Sequence, residues 1–484
     1  MNLQPGRVHT ALAATATILS GAAFYFGTGL HPLWPLMWVA PLPVLLLSPR
    51  IPWSRALLVA FVARLLGAGS MVTYLRVRLN QVPVETRLAY LLIPVFVFTL
   101  AVMLSRAFFR RGQFWPAILA FPSTIVAYEY CSSLWGGTYW NTAYTQLDNL
   151  PVLQLAAVTG LWGISSVVLL FSSALAVILL TRDPVRRRLV ATLTGTIVCV
   201  VGYGAWRLVA TPATHSIVMG LVSTAYPGYV APFAESPEMQ LAVLQQYASE
   251  ARQLGTRGAQ IVVLPEMMTL VQGPYSYQVD QLFEETAREA NAQVLLDVLH
   301  ATAGRTFNEA RLYSAAGGLE AVYRKHHPAY VLGENVTPGT GISVLDRPEG
   351  ILGLAVCSDM DYLNPARIYG RRKVGVLLVP AWDSSLDESW HGHMAIMRGV
   401  ENGYSIVRSS KVGLLTVSDD RGRILAETSA HPNTHFTTML TTVPVRHDQT
   451  VYQVLGDWFA WLNLAVFSGL VAWLFTRWRC PASN

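Results

Sequence analysis

Two hydrophobic patterns divide this chain. From about residue 10 to 210 the apolar positions run on with little polar relief, whereas from about 215 to 450 they come in short bursts between polar stretches. Eight stretches read as membrane spans, near 10–29, 33–49, 56–75, 88–105, 114–134, 153–181, 189–210 and 455–476. Each approaches the roughly 20 residues that cross about 30 Å of hydrocarbon. The second is short and holds Pro35, Pro41 and Pro43, so a kink or a partial re-entry is expected there.

The middle region alternates strand and helix patterns. SIVMGLVS (216–223) reads as a strand, PEMQLAVLQQYASEARQLG as an amphipathic helix, and AQIVVLPE as a buried strand. QVDQLFEETAREANA reads as a second helix and AQVLLDVLH as a strand, while LYSAAGGLEAVYRK has the form of a hairpin. GILGLAVC, VGVLLVPAW, YSIVRSS, GLLTVSD and GRILAE complete a sheet-rich α/β domain of ordinary size. The expected organisation is a membrane domain over 1–212 with about seven transmembrane helices, a globular domain over 213–448, and a final helix with a cytoplasmic tail over 449–484.

Composition agrees with that division. Only 13% of the 484 residues are charged and 52% are hydrophobic, with a mean hydropathy of +0.37; a soluble domain carries about 25% charged residues. The net charge of +6 does not indicate nucleic acid, because the arginines flank apolar segments. With the N-terminus inside, the loops with Arg50 and Arg55, Arg106 to Arg111, and Arg182 to Arg188 fall inside, as does the tail with Arg477 and Arg479. The loop with Arg76, Arg78 and Arg87 is the exception. This orientation puts the globular domain on the outer face. Arg7 and the apolar stretch after it read as a first span, not a cleaved signal. The four cysteines, Cys131, Cys199, Cys357 and Cys480, show neither zinc spacing nor a disulfide framework.

Three polar residues stand where apolar strand-like runs stop: Glu266 after IVVLP, Lys325 in VYRKHH and Cys357 after ILGLAV. A carboxylate, an ammonium and a thiol at the rim of a sheet can serve as base, oxyanion stabiliser and nucleophile. Glu334, in YVLGEN, is a second carboxylate near enough in sequence to steer the lysine or a leaving group. Taken singly each has a plainer role: a buried core thiol, a helix cap, a solvated hairpin lysine. Their order and contexts together are the signal. His391 and His393, with Asp383 and Asp387 upstream, do not read as a metal set, because the two imidazoles share a side only in an extended segment and MAIMRGVE is helical. His326 and His327 read as rim residues. Trp135, Tyr139 and Trp140 are either substrate contacts or an interfacial aromatic belt, and the 226–233 loop (YPGYVAPF) is either a lid or a packed loop.

LPE, YRKHH with GEN after it, and LAVCSDMD resemble the Glu–Lys–Cys motifs of the carbon–nitrogen hydrolase (nitrilase) superfamily. The run HGHMAIMRGVENGYSIVRSSKVGLLTVSDDRGRILAE, with Arg398, Glu401 and Arg408, is similar to its C-terminal half. The spans, the segment from Gly136 through Trp140 and Tyr144 to Gln146, and LQLAAVTGLWGISSVV resemble the membrane branch, the apolipoprotein N-acyltransferases. The resemblance implies a polytopic α-helical domain joined to an α-β-β-α sandwich in a plasma (inner) membrane. It implies a fatty acyl chain passing from a phospholipid to Cys357 as a thioester, then to the N-terminal amine of a diacylglyceryl-cysteine lipoprotein. Glu266 would be the base and Lys325 the oxyanion stabiliser, with Asn308, Glu334 and Asp359 supporting them and no metal or organic cofactor. Trp140, Tyr144, Gln146, Trp382 and His391 are the candidate substrate contacts. Where the family usually has an aromatic residue and a glutamate after the nucleophile, this chain has Ser358 and Asp359; where the family has a Gln-Gly-Asn-type segment with a Trp, it has LVSTAYPGYVAPF. A membrane-tethered amidase and a non-catalytic scaffold are the competing functions, and the intact trio argues against the scaffold.

Overall fold

The structure, a computed structural model, describes residues 5–209, 215–230 and 236–478. Arg479 and Cys480 of the expected tail, and 231–233 of the expected lid, lie outside them. The chain divides into two compact units, one formed by 1–208 with 455–484 and the other by 209–454.

The first unit is helical. Among the described residues six helices are long and apolar enough to cross a bilayer: Thr10–Gly27, Trp53–Val77, Val84–Phe109, Leu161–Leu180, Val185–Val209 and Trp458–Thr476. Phe114–Gly136 has comparable length, but its apolar run is interrupted by Glu129 and several hydroxyl side chains. The second expected span is not one helix. It breaks into Trp34–Met37, Leu42–Leu47 and a turn at Ser48–Arg50, because Pro35, Pro41 and Pro43 remove backbone donors from a short run. The expected span 153–181 is likewise interrupted at Gly160, which adopts φ +64° between Ala156–Thr159 and Leu161–Leu180. Helix contacts are close where residues are small, as expected for packing without a hydrophobic drive: a Cβ on Gly67 would overlap Phe24 of the first helix. Buried Arg106 donates to the carbonyls of Ser48 (2.8 Å) and Ile51 (2.9 Å) at the end of the broken segment.

The second unit is a four-layer sandwich. Its strands are β1 (Ser216–Ser223), β2 (Ile261–Val263), β3 (Leu270–Gln272), β4 (Gln293–Thr302), β5 (Arg305–Tyr313), β6 (Leu319–Arg324), β7 (Ser343–Arg347), β8 (Gly350–Leu354), β9 (Val376–Trp382), β10 (Ser405–Lys411), β11 (Leu414–Ser418), β12 (Ile424–Ser429) and β13 (Thr437–Pro444). One sheet runs β13-β1-β2-β4-β5-β6, with β3 also on β4; the other runs β12-β11-β10-β9-β8-β7. The central pairs β1–β2, β2–β4, β8–β9 and β9–β10 are parallel. Such strands are covered on both faces, which explains why β2 and β9 read as apolar runs without alternation.

Met219, Leu221, Val263 and Leu295 of the first sheet share one core with Leu354, Leu378, Val407 and Leu415 of the second. Helices Pro237–Thr256 and Pro274–Ala290 bury Leu244, Tyr247, Ala251, Phe283 and Ala287 against the other face of the first sheet. Each layer thus exposes the ends of parallel strands along one rim, and that rim carries the polar residues at issue.

Candidate active site

Glu266, Lys325 and Cys357 each follow a strand end, after β2, β6 and β8. Pro265 ends the β2 pairing, and the Glu266 N–H crosses to the carbonyl of Ala381 in β9 of the other sheet (3.1 Å). Lys325 stays in register through its N–H to the Asn308 carbonyl (2.9 Å). Cys357 opens a 3-10 turn, Cys357–Asp361, at φ +42°. A left-handed backbone at a non-glycine residue costs on the order of 1–3 kcal/mol and persists where the surroundings enforce it.

The lysine is held between two carboxylates. Its Nζ donates to Glu266 Oε1 (2.8 Å) and Glu334 Oε2 (2.7 Å). Asn308 Nδ2 donates to Oε1 of both (2.8 Å each), so the amide and the ammonium together close a ring with the acids. The Ala329 N–H adds a third bond to Glu334 (2.7 Å). Glu266 and Lys325 are each only 2% exposed, which makes their charges strong. Burial pushes the Glu266 carboxyl above its ordinary range and Glu334 adds to this, against the pull of Lys325. Burial works against the Lys325 ammonium, but Glu266, Cys357 and Glu334 together hold it well above the ordinary lysine value. The Cys357 thiol is pushed well up, first by burial and then by Glu266, against Lys325 and Arg408. The resting site therefore holds a neutral thiol and a firmly charged lysine beside a carboxylate with raised proton affinity.

Asp359 ties the Cys357 turn to the Lys325 loop. Its Oδ1 accepts from the N–H groups of His326 (3.1 Å) and His327 (2.9 Å), and its Oδ2 from Tyr323 Oη (2.7 Å) and the Val356 N–H (3.1 Å). Ser358 Oγ donates to the His327 carbonyl (2.6 Å). The His327 ring stacks on Tyr362 at 3.9 Å. The two residues that replace the family's usual aromatic and glutamate are thus both engaged in joining Cys357 to Lys325.

The remaining candidates separate. The Trp382 carbonyl lies 3.9 Å from Cys357 Sγ, and its ring lies under Lys411 Nζ at 4.1 Å. His391 lies on helix Glu388–Asn402 with its ring between Asp361 (3.6 Å) and Asp387 (3.5 Å). These carboxylates push it up to about 10 against the effect of burial. His393, two residues along, pairs instead with Glu427. Among the described residues no group of three or more His, Cys, Asp and Glu is arranged to hold a metal ion.

Trp140, Tyr144 and Gln146 belong to the helical unit. Tyr144 is buried on Thr138 (2.6 Å), and Gln146 accepts from Trp38 Nε1 (2.8 Å). Trp140 is partly exposed against Tyr74 and Tyr139. Glu129 fixes this turn by accepting from Thr142 N (2.8 Å) and Thr142 Oγ1 (2.5 Å).

Sequence reasoning missed Asp297 and Lys411. Asp297 is a lone carboxylate inside the apolar run VLLDVL of β4, and a buried charge of that kind is rare enough to have been a signal; Lys411, at the polar end of β10 (SIVRSSK), carried no such signal.

Residues 225–446 match the family model for carbon–nitrogen hydrolases, and residues 20–175 match that for the apolipoprotein N-acyltransferase N-terminal domain. An apolipoprotein N-acyltransferase of Geobacter metallireducens is 24% identical over 95% of each chain. One of Nitrosomonas europaea is 26% identical over 85% of this chain and 86% of its own. A human omega-amidase is 28% identical over 27% of this chain and 54% of its own. A crystal structure of a carbon–nitrogen hydrolase from Helicobacter pylori G27, 19% identical, aligns with 50% of this chain and 94% of its own, with a TM-score of 0.41.

Proposed function

We propose that this chain, which belongs to the apolipoprotein N-acyltransferase branch of the carbon–nitrogen hydrolases, moves a fatty acyl group from a phospholipid to the N-terminal amine of diacylglyceryl-cysteine lipoproteins through a thioester on Cys357. The observation that carries this reading is the presence of both family segments in one chain, with relatives of that name matching it nearly end to end. The human omega-amidase match covers only 27% of this chain.

The chemistry follows from the site. Because the thiol is neutral at rest, Glu266 takes the Sγ proton as sulfur attacks the ester carbonyl. The Lys325 ammonium faces the oxyanion, and a donor of this kind contributes about 3–4 kcal/mol to the transition state. Collapse breaks the ester C–O bond, and Glu266 returns its proton to the departing glycerol oxygen, releasing lysophospholipid. The lipoprotein amine then attacks the thioester, Glu266 removes a proton from nitrogen, and Cys357 leaves as the thiol. Glu334 and Asn308 keep the lysine aimed at Glu266. Burial and Glu334 keep Glu266 basic enough to act twice.

The chain is a multi-pass membrane protein. We read its catalytic unit as lying on the outer, periplasmic face of an inner membrane. The support is arginine placement: the connections with Arg50 and Arg55, Arg106 to Arg111, and Arg182 to Arg188 alternate along the spans, so they share one side, and the catalytic unit follows the next crossing. Both substrates carry acyl chains that resist leaving a bilayer, which suits a membrane-embedded enzyme.

Purified full-length protein in mixed micelles tests the function. Lysophospholipid release that rises when a diacylated lipopeptide is added is the expected result. Turnover of small amides with no response to lipopeptide would move the assignment to an amidase.

A further inference from the structure

Met267, the residue after Glu266, has a left-handed backbone at φ +53°. A methionine gains nothing from that conformation, so something must hold it. Its two backbone polar atoms are both taken by buried side chains. Asp297 Oδ1 accepts the Met267 N–H at 2.7 Å, and Lys411 Nζ donates to the Met267 carbonyl at 2.9 Å. Asp297 and Lys411 are both 0% exposed, and they come from different sheets, β4 and the end of β10. The Asp297 carbonyl also accepts the Met268 N–H at 2.8 Å, so β4 grips the segment twice. Lys411 reaches further, donating to the Val230 carbonyl at 2.9 Å and lying over the indole of Trp382, whose own carbonyl faces Cys357 Sγ.

We infer that Asp297 and Lys411 are positioning residues that clamp the peptide groups of Met267 from opposite sides and so aim the Glu266 carboxylate at the nucleophile. The inference rests on Glu266 being the base. Neither residue touches the reacting atoms. The clamp needs an acceptor at 297 and a donor at 411, not a charge at either place. Burial and the nearby Glu266 push the Asp297 carboxyl well above its ordinary range, and burial lowers the Lys411 ammonium to about 7. Asp297 Oδ2 has no hydrogen-bond partner among the described residues, so Oδ1 alone carries the side chain's bond to Met267.

The test is the single-turnover rate at which a fluorescent phospholipid acylates Cys357 in the full-length protein. Asp297→Leu and Lys411→Met should each slow acylation roughly 100-fold, the scale of a misplaced catalytic group, with half-saturation by phospholipid unchanged. Asp297→Asn keeps an acceptor and should stay within roughly fivefold of the parent, the scale of one hydrogen-bond adjustment. A general loss of structure would not spare the asparagine variant. Should Asp297→Leu fail to fold, the contrast between Asp297→Asn and Lys411→Met decides. Glu266→Gln run in parallel separates the two claims. If Glu266→Gln loses acylation while Asp297→Leu and Lys411→Met keep the parental rate, or if Asp297→Asn falls as far as Lys411→Met, the clamp is wrong and the base stands. If Glu266→Gln keeps the parental rate, the base itself is wrong.

Discussion

Replacing Asp359 with alanine should destabilise the catalytic unit and disarm it together. Asp359 is fully buried and accepts from Tyr323, Val356, His326 and His327. The two histidines are half-buried, so water can replace the carboxylate there. Tyr323 and Val356 are buried, and each orphaned donor costs about 1–3 kcal/mol. A total of about 3–5 kcal/mol is the expected loss, in line with breaking a buried charged network. For a unit of this size that lowers the melting temperature by roughly 10 °C. Asparagine with its oxygen turned to Tyr323 and Val356 keeps both buried donors paired and sets its amide against the half-buried His326 and His327 N–H groups, so the expected loss is smaller, about 1–3 kcal/mol. The histidine and tyrosine bonds hold the Asp359 carboxyl below its ordinary 3.8 despite burial. Its contribution is therefore present above pH 3.8 and lost only as pH falls through the depressed value, so the gap between parent and variant should be flat from pH 5 to 8. Thermal unfolding of the full-length chain in detergent, followed by tryptophan fluorescence, reads this directly. A shift under about 2 °C for alanine, or a gap that widens from pH 5 to 8, would refute the reasoning.

Three further expectations follow from the same geometry. Lys325→Met leaves Glu266 and Glu334 facing each other without their cation, so it should cost about 3–4 kcal/mol in the acylation step and lower the melting temperature as well; loss of neither contradicts the oxyanion role. His391 is raised between Asp361 and Asp387, so its contribution is full below pH 6.5 and fades as pH rises towards 10; the melting-temperature difference between parent and His391→Gln should shrink over that window. Gly67→Ala should weaken the helical unit, because its methyl would overlap Phe24, and loss of monodisperse protein in mild detergent reports it; unchanged behaviour would mean that the two helices can separate without penalty.

Much of the catalytic unit was legible because its central strands are covered on both faces. An apolar run ending in a polar residue, as in IVVLPE and ILGLAVC, marks both a strand and its rim. β7 and β13 were not legible: SVLDR and TTMLTTVP are half-exposed, Thr-rich or charged, and owe their strand state to pairing with β8 and β1. The break in the second span was legible, since Pro35, Pro41 and Pro43 outweigh hydropathy in so short a run. Gly160 broke another run by adopting a left-handed backbone that periodicity does not reveal. The trio could be read from strand ends, but Asp297 and Lys411 could not be assigned, since only the fold brings β4 and β10 to the two sides of Met267.

Intact-protein mass spectrometry of the purified full-length chain, after incubation with phospholipid and no acceptor, tests the central claim most directly. The expected result is one added fatty-acyl mass, located at Cys357, removed by hydroxylamine and missing from Cys357→Ala. A folded protein that gains no such mass, or a Cys357→Ala variant that still gains it, would contradict the thioester mechanism.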